Sequence, residues 1–215
     1  MDGTIPLEHI GETITVETDL SNGRTADKQF TVTNNMAKAV SVFVGMARRL
    51  LSDPGAVWSS IEDRLIIPNL DMEKGGVGDL LVYIPPVLHV VDYKHGKGVY
   101  VNVTGNAQFL SYGWGAYNTL WRLNIQPAPQ RIAMTVVQPR FAGADPVRAW
   151  EISTSEMFDW LNNIAYPAVA LSQRPDAPLL PNAKKQCFFC DANKSCMALA
   201  QQKAKSLPTN PYLEN

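Results

Sequence analysis

The sequence lacks any apolar run approaching the roughly 20 residues needed to span a bilayer, so no membrane partner is expected. It lacks a leader pattern: Met1-Asp2-Gly3 carries no basic n-region and no h-region follows, so export is not expected. It lacks an excess of either charge. Lys and Arg total 19 against 20 Asp and Glu, a formal net charge of −1. That excludes a wholesale basic coat for nucleic acid, but not a local basic groove around an acidic centre. Cysteine is scarce as well: three in all, an odd number crowded near the C-terminus, which excludes a disulfide framework. A reducing cytoplasm is the expected compartment. What remains is ordinary globular composition, 46% hydrophobic and 18% charged over 215 residues. That suffices for one well-cored domain, with or without a small appendage.

The informative stretch runs from Gly78 to Tyr112. Two β-branched apolar runs, Asp79-Leu80-Leu81-Val82-Tyr83-Ile84 and Val87-Leu88-His89-Val90-Val91-Asp92, flank Pro85-Pro86. This reads as two strands joined by a turn. Asp79 and Asp92 are equidistant from the Pro-Pro midpoint, so an antiparallel pairing without a bulge sets them opposite one another. Opposed like charges are destabilising, and a divalent cation, which takes carboxylate oxygens, is the natural offset. Lys94 shares the Asp92 side of its strand while Tyr93 points away. Two carboxylates and an ammonium are the equipment of metal-assisted phosphodiester hydrolysis. The competing reading is a surface hairpin with an ordinary Asp-Lys pair.

Gly76-Val77-Gly78-Asp79, then Asp92-Tyr93-Lys94, then Gln108-Phe109-Leu110-Ser111-Tyr112 on a following helix, resembles the RecB-type branch of the PD-(D/E)XK nucleases. Val91 to Gly98 and Asn106-Ala107-Gln108 are similar to a phage- and prophage-encoded subgroup related to the exonucleases of CRISPR adaptation. The resemblance covers residues 30 to 200. It implies a restriction-endonuclease-like core and Mg²⁺ or Mn²⁺ held by Asp79 and Asp92. It also implies that Lys94 acts on the water, and that Gln108 and Tyr112 position the DNA strand. Glu62 is either the third metal ligand that the resemblance implies or a solvent-facing residue. A bacterial host cell follows from the same resemblance.

Along the chain, Glu12–Thr18 and Gln29–Val32 read as short strands around an Asn22-Gly23 turn. Asn34 or Asn35 is the expected cap of a helix through Met36 to about Leu51, with Val40, Val44, Ala47 and Leu51 inward. Val57–Pro68 reads as a strand with Glu62 and Arg64 on one face. His95-Gly96-Lys97-Gly98 is a basic, flexible turn where His95 and Lys97 can meet a phosphate; otherwise it is an ordinary loop tip. Tyr100, Val101 and Val103 read as another short strand. A helix opens at Thr104, Gly105 or Asn106 and runs to about Trp121. Arg131–Gln138 and Val147–Ile152 are strands, and Arg140 and Arg148 between them can line a DNA groove or simply solvate. Ser153-Thr154-Ser155-Glu156 opens a helix to about Leu171, with Met157, Trp160, Leu161, Ile164 and Val169 inward.

Pro175, Pro178 and Pro181 mark a linker. Cys187, Cys190 and Cys196 follow at Cys-x2-Cys-x5-Cys spacing, which lets thiolates converge on one metal. The spacing resembles the C-terminal triplet of the iron–sulfur nucleases, whose fourth cysteine lies in an upstream helical segment absent from this sequence. A [4Fe–4S] cluster would therefore be incomplete, use a non-Cys ligand such as His9, His89 or His95, or borrow a thiolate from a second chain. Zn²⁺ bound by three Cys and one His is the alternative, and three unligated thiols the plain one. A short helix to Lys205 and a frayed end from Pro208 are expected.

The expectation is an α/β fold with a central mixed β-sheet flanked by helices and a small Cys-rich appendage. Residues 1–33 form a polar segment, 34–172 the nuclease core and 173–215 the linker, cysteine segment and last helix. The expected function is a metal-dependent exonuclease on linear DNA in phage recombination or replication. The rivals are a non-catalytic DNA-binding or assembly subunit on a degenerate nuclease fold, and one chain of a split nuclease. The expected partners are DNA, a second chain carrying the upstream segment, and further copies of the chain itself.

Overall fold

The computed structural model describes residues 6–19, 25–69, 76–178, 181, 187 and 190–205. The chain divides into two compact units, Met1–Tyr166 and Pro167–Asn215. The first opens with a 3-10 turn, Pro6–His9, and an antiparallel pair, β1 (Thr13–Asp19) and β2 (Thr25–Thr31). The Asn22-Gly23 turn lies outside the described residues. Helix α1 (Asn34–Leu51) follows. Its cap is Thr33, whose Oγ1 accepts from the Met36 N–H at 3.3 Å. Asn34 and Asn35, the expected caps, instead form the first turn.

The centre is a five-stranded mixed sheet in the order β3-β4-β5-β6-β7. Its strands are β3 (Trp58–Leu65), β4 (Gly76–Ile84), β5 (Val87–Tyr93), β6 (Arg131–Val137) and β7 (Val147–Ser153). All neighbours are antiparallel except β5 and β6, which run parallel. A parallel step needs a crossover, and helix α2 (Ala107–Arg122) supplies it. Asn106 caps α2 by accepting from the Gln108 N–H at 2.9 Å.

The central strands are apolar on both sides because each side meets a helix. Leu80, Val82, Val91 and Val137 form a buried cluster with Ala47 of α1, joined by Val42, Phe43, Met46, Leu50 and Leu51. The expected stripe therefore holds at Ala47 and Leu51 but is set elsewhere by Val42, Phe43, Met46 and Leu50. Each fully buried aliphatic side chain contributes roughly 1.5–3 kcal/mol. Ile132 and Met134, out of phase with Val137, meet Gly113 of α2 on the opposite face. A Cβ on Gly115 would stand 3.0 Å from Leu65 Cβ, so its absence lets α2 settle close to β3.

Two further expectations are corrected. Residues 100–103 form no strand. The Val101 N–H donates to Gln138 Oε1 at 3.2 Å and its carbonyl accepts from Arg148 Nη2 at 3.0 Å, so side chains take the place of a ladder. Ile164 is 58% exposed, while Leu161 and Ala165 are buried. Helix α3 (Thr154–Trp160) opens with the expected capping box between Ser153 and Glu156. It then passes through a π turn, Leu161–Ala165. The extra residue in that turn rotates the inward stripe past Ile164.

The second unit takes in most of α4 (Tyr166–Ser172), a 3-10 turn at Asp191–Lys194 and α5 (Met197–Lys205). The segment from Pro208 lies outside the described residues. No helix among the described residues is long and apolar enough to cross a membrane.

Candidate functional site

Asp92 is the buried charge of the central strand, 4% exposed. The alternation that sends Val91 towards α1 sends Asp92 to the α2 face. Lys94, just beyond the strand end, folds back so that its Nζ lies 2.9 Å from Asp92 Oδ1 and 2.8 Å from Oδ2. Only the Oδ1 contact has hydrogen-bond geometry. Oδ2 is shut away from solvent with no donor, although it sits in the field of the ammonium. Burial raises the Asp92 carboxyl above its ordinary range. Lys94 opposes the rise through its hydrogen bond and charge, and the charge of Asp79 adds to it.

Asp79 stands level with Asp92. The last β4–β5 pair is Leu80 with Val91, and one further step of that register joins the two aspartates. Asp79 Oδ2 accepts from the Tyr93 backbone N–H at 2.6 Å, so this carboxylate bridges to β5 where the ladder ends. Glu62 completes the row. In the β3–β4 ladder Ile61 pairs with Leu80 and Asp63 with Gly78. The slot between them sets Glu62 opposite Asp79, and it is the slot without a pairing. Glu62 has φ +51°, a left-handed conformation that costs a non-glycine residue on the order of 1–3 kcal/mol. It is exposed. Among the described residues no three His, Cys, Asp or Glu side chains are gathered for a metal ion. The row is thus a matter of backbone register, while Asp79 and Asp92 are the two that interact.

Helix α2 brings Gln108 and Tyr112 together. Gln108 Nε2 donates to Tyr112 Oη at 3.1 Å, as one helical turn permits. The Tyr112 ring lies over the start of β4. A Cβ on Gly76 would stand 2.3 Å from Tyr112 Cε1, so a glycine is required there for the ring to occupy its place.

The remaining expected residues lie apart. His95 Nδ1 is 2.6 Å from the Tyr93 hydroxyl, on the α1 side of the sheet. Burial, then the charges of Arg140 and Lys97, hold its imidazole below the ordinary value. Lys97 and Arg140 line a cleft with Lys38 and Asn35 of α1; the sequence reading took Asn35 only as a helix cap and did not single out Lys38. Arg148 is committed to structure: Nη2 donates to Gln138 Oε1 at 2.8 Å, and the guanidinium lies 4.6 Å from the Tyr100 ring centre. His9 is bonded to Glu12 at 2.8 Å. His89 is half-buried in β5, its imidazole lowered by burial, with Glu151 and Asp53 as its nearby charges. In the second unit none of Cys187, Cys190 and Cys196 forms a disulfide. The Cys190 N–H donates to the Cys187 carbonyl at 3.4 Å, and the Leu199 N–H to Cys196 Sγ at 3.4 Å.

A buried carboxylate with an undonated oxygen, a second carboxylate beside it and an ammonium against it suit a hard cation or a developing negative charge. The molecule is a mixed α/β protein with this polar centre between its sheet and α2. The chain belongs to the family described as "Protein of unknown function (DUF2800)", whose model matches residues 7–210. A solved structure titled "Crystal structure of SSO0001" is similar over 77% of this chain and 72% of that chain, at 12% identity and a TM-score of 0.31. A likeness at that score fixes neither fold nor function.

Proposed function

We propose that this chain is a metal-dependent DNA nuclease with a PD-(D/E)XK core, cutting phosphodiesters of linear DNA as an exonuclease. The observation that carries the reading is the Asp92 carboxylate, buried against Lys94 with Oδ2 lacking a donor. Asp79 and Asp92 would hold Mg²⁺ or Mn²⁺, with Glu62 next in the row. When bound, the cation would polarise the phosphodiester and lower the pKa of a water. Lys94 places an ammonium where negative charge builds on the phosphate oxygens. Burial of Asp92 keeps that field from being screened by solvent. The Gln108–Tyr112 pair presents an amide and a phenol that hold the strand in register. The three cysteines at metal spacing leave a cluster or Zn²⁺ in the second unit as part of the same proposal.

A second reading has its own support. Asp79 is already engaged by the Tyr93 N–H and Asp92 by Lys94, an arrangement that also serves a non-catalytic DNA-binding subunit or one chain of a split nuclease. Cleavage of end-labelled single- and double-stranded linear DNA with Mn²⁺ or Mg²⁺ decides between them. The native chain degrades DNA, and Lys94→Ala and Asp92→Ala, checked for folding by circular dichroism, do not. Cleavage retained in either variant refutes the assignment. A folded native chain that binds DNA and cuts nothing supports the second reading.

A further inference from the structure

A second charged site lies across the sheet from Asp92. Val42 of α1 packs on the cluster formed by Leu80, Val82, Val91 and Val137, and it also lines a cleft of about 380 Å³. Lys38, Lys97 and Arg140 converge on this cleft, with Asn35 beside them and no Asp or Glu among the described residues of its wall. Its volume falls at the small end of ligand pockets, roughly 300–1,000 Å³.

None of the three cationic side chains makes an ion pair or hydrogen bond with another described residue. Arg140 Nε is closed off from solvent and has no acceptor, a buried donor left unmet. Buried donors ordinarily find partners. The combined field is felt next door, where Arg140 and Lys97 both disfavour a protonated His95. Asn35 lies in the first turn of α1. The Thr33 side chain occupies the Met36 N–H, and the earlier N–H groups stay available to a ligand or to water. The positive end of the helix dipole thus adds to the three cations. Like charges held in one concavity repel one another, and a compact anion relieves that repulsion. Phosphate suits the donor set best: a guanidinium fork can take two of its oxygens while ammonium groups act as point charges.

We propose that this cleft is a phosphate-binding site, taking one phosphomonoester or phosphodiester group through Lys38, Lys97 and Arg140 at the N-terminus of α1. The proposal does not rest on the nuclease reading, because its residues stand on the opposite sheet face from Asp92.

The test is calorimetric titration of the full chain with inorganic phosphate, beside Lys38→Gln combined with Lys97→Gln, and Arg140→Gln separately. Circular dichroism checks that each variant folds. The native chain shows saturable binding, weakened about tenfold or more, some 1.4 kcal/mol, by the double variant. Lys94→Gln leaves it unchanged. Competition by two oligonucleotides of one sequence, with and without a 5′-phosphate, then identifies the source. Competition by the phosphorylated strand alone assigns a terminal monoester, and equal competition assigns an internal diester. A folded native chain with no saturable phosphate binding overturns the proposal. So does binding that survives the double variant, or binding that Lys94→Gln abolishes.

Discussion

Replacing Gly76 by alanine tests the seat of Tyr112 directly. The added Cβ would lie 2.3 Å from Tyr112 Cε1, 2.8 Å from Cζ and 3.0 Å from the hydroxyl oxygen. Carbon atoms rest at roughly 3.5–4.0 Å, so the ring must move by about 1 Å or more. Such overpacking costs roughly 1–3 kcal/mol. The displaced phenol also gives up the Gln108 hydrogen bond, an exposed one, worth about 0.5 kcal/mol at the low end. Against this, alanine restricts the unfolded chain and returns about 0.4–1 kcal/mol. The net expectation is a loss of about 1–2 kcal/mol by urea unfolding. In a Tyr112→Ala background the obstacle is gone, and the same substitution becomes neutral or stabilising by up to about 1 kcal/mol. The double-mutant cycle should therefore show a coupling on the order of 2 kcal/mol. Equal costs in the two backgrounds would refute the contact. If Tyr112 positions a DNA strand, Gly76→Ala also lowers cleavage more than its stability loss explains, and Gly76→Ala with Tyr112→Ala does not recover it.

Three further outcomes follow from the geometry. The folded state raises the pKa of Asp92 from its ordinary 3.8, so it holds that proton more tightly than the unfolded chain. The associated stability is full below that value and is lost as pH rises through the folded pKa. Asp92→Asn should therefore melt higher than the native chain near neutral pH, with the gap closing towards about pH 4; a variant that melts lower at neutral pH contradicts the burial argument. Glu62→Gly should raise the urea midpoint, by roughly 1 kcal/mol of relieved left-handed strain; a fall would mean that the Glu62 side chain supports the fold. Ser153→Ala removes a cap and should cost about 1 kcal/mol in thermal unfolding, whereas an unchanged melting temperature would show that α3 does not depend on its capping box.

Much of this architecture was legible because it rests on local signals. The Pro85-Pro86 break and its flanking β-branched runs gave the hairpin and the level of Asp79 with Asp92. Ser153 and Glu156 gave a capping box. The spacing of Gln108 and Tyr112 gave a pair on one turn. What escaped depends on partners distant in sequence. Tyr100 to Val103 has strand composition, yet Gln138 and Arg148 claim its backbone. Ile164 sits on a helical stripe that a π turn rotates outward. The left-handed Glu62 could not be read from its type, since glutamate carries no preference for that region. Lys38 and Asn35 lie on α1 far along the chain from Lys97 and Arg140, and only the fold makes them neighbours. Gly76 was readable as part of a motif, but its reason, the ring of Tyr112, was not.

The segment between β5 and α2 has a consequence for motion. β5 is hydrogen-bonded on both sides, to β4 and to β6. Its amides should exchange with solvent only when the whole sheet opens. The chain just beyond it is held differently: Gln138 bonds Val99 and Val101, Arg148 bonds Val101, and Asn102 bonds Thr104. Breaking a few side-chain contacts frees it without disturbing a single ladder bond. Hydrogen exchange should therefore find slow amides along the strand that carries Asp92 and fast ones in the loop that carries Lys97. The sheet thus stays closed while the loop that carries Lys97 opens and re-forms on its own.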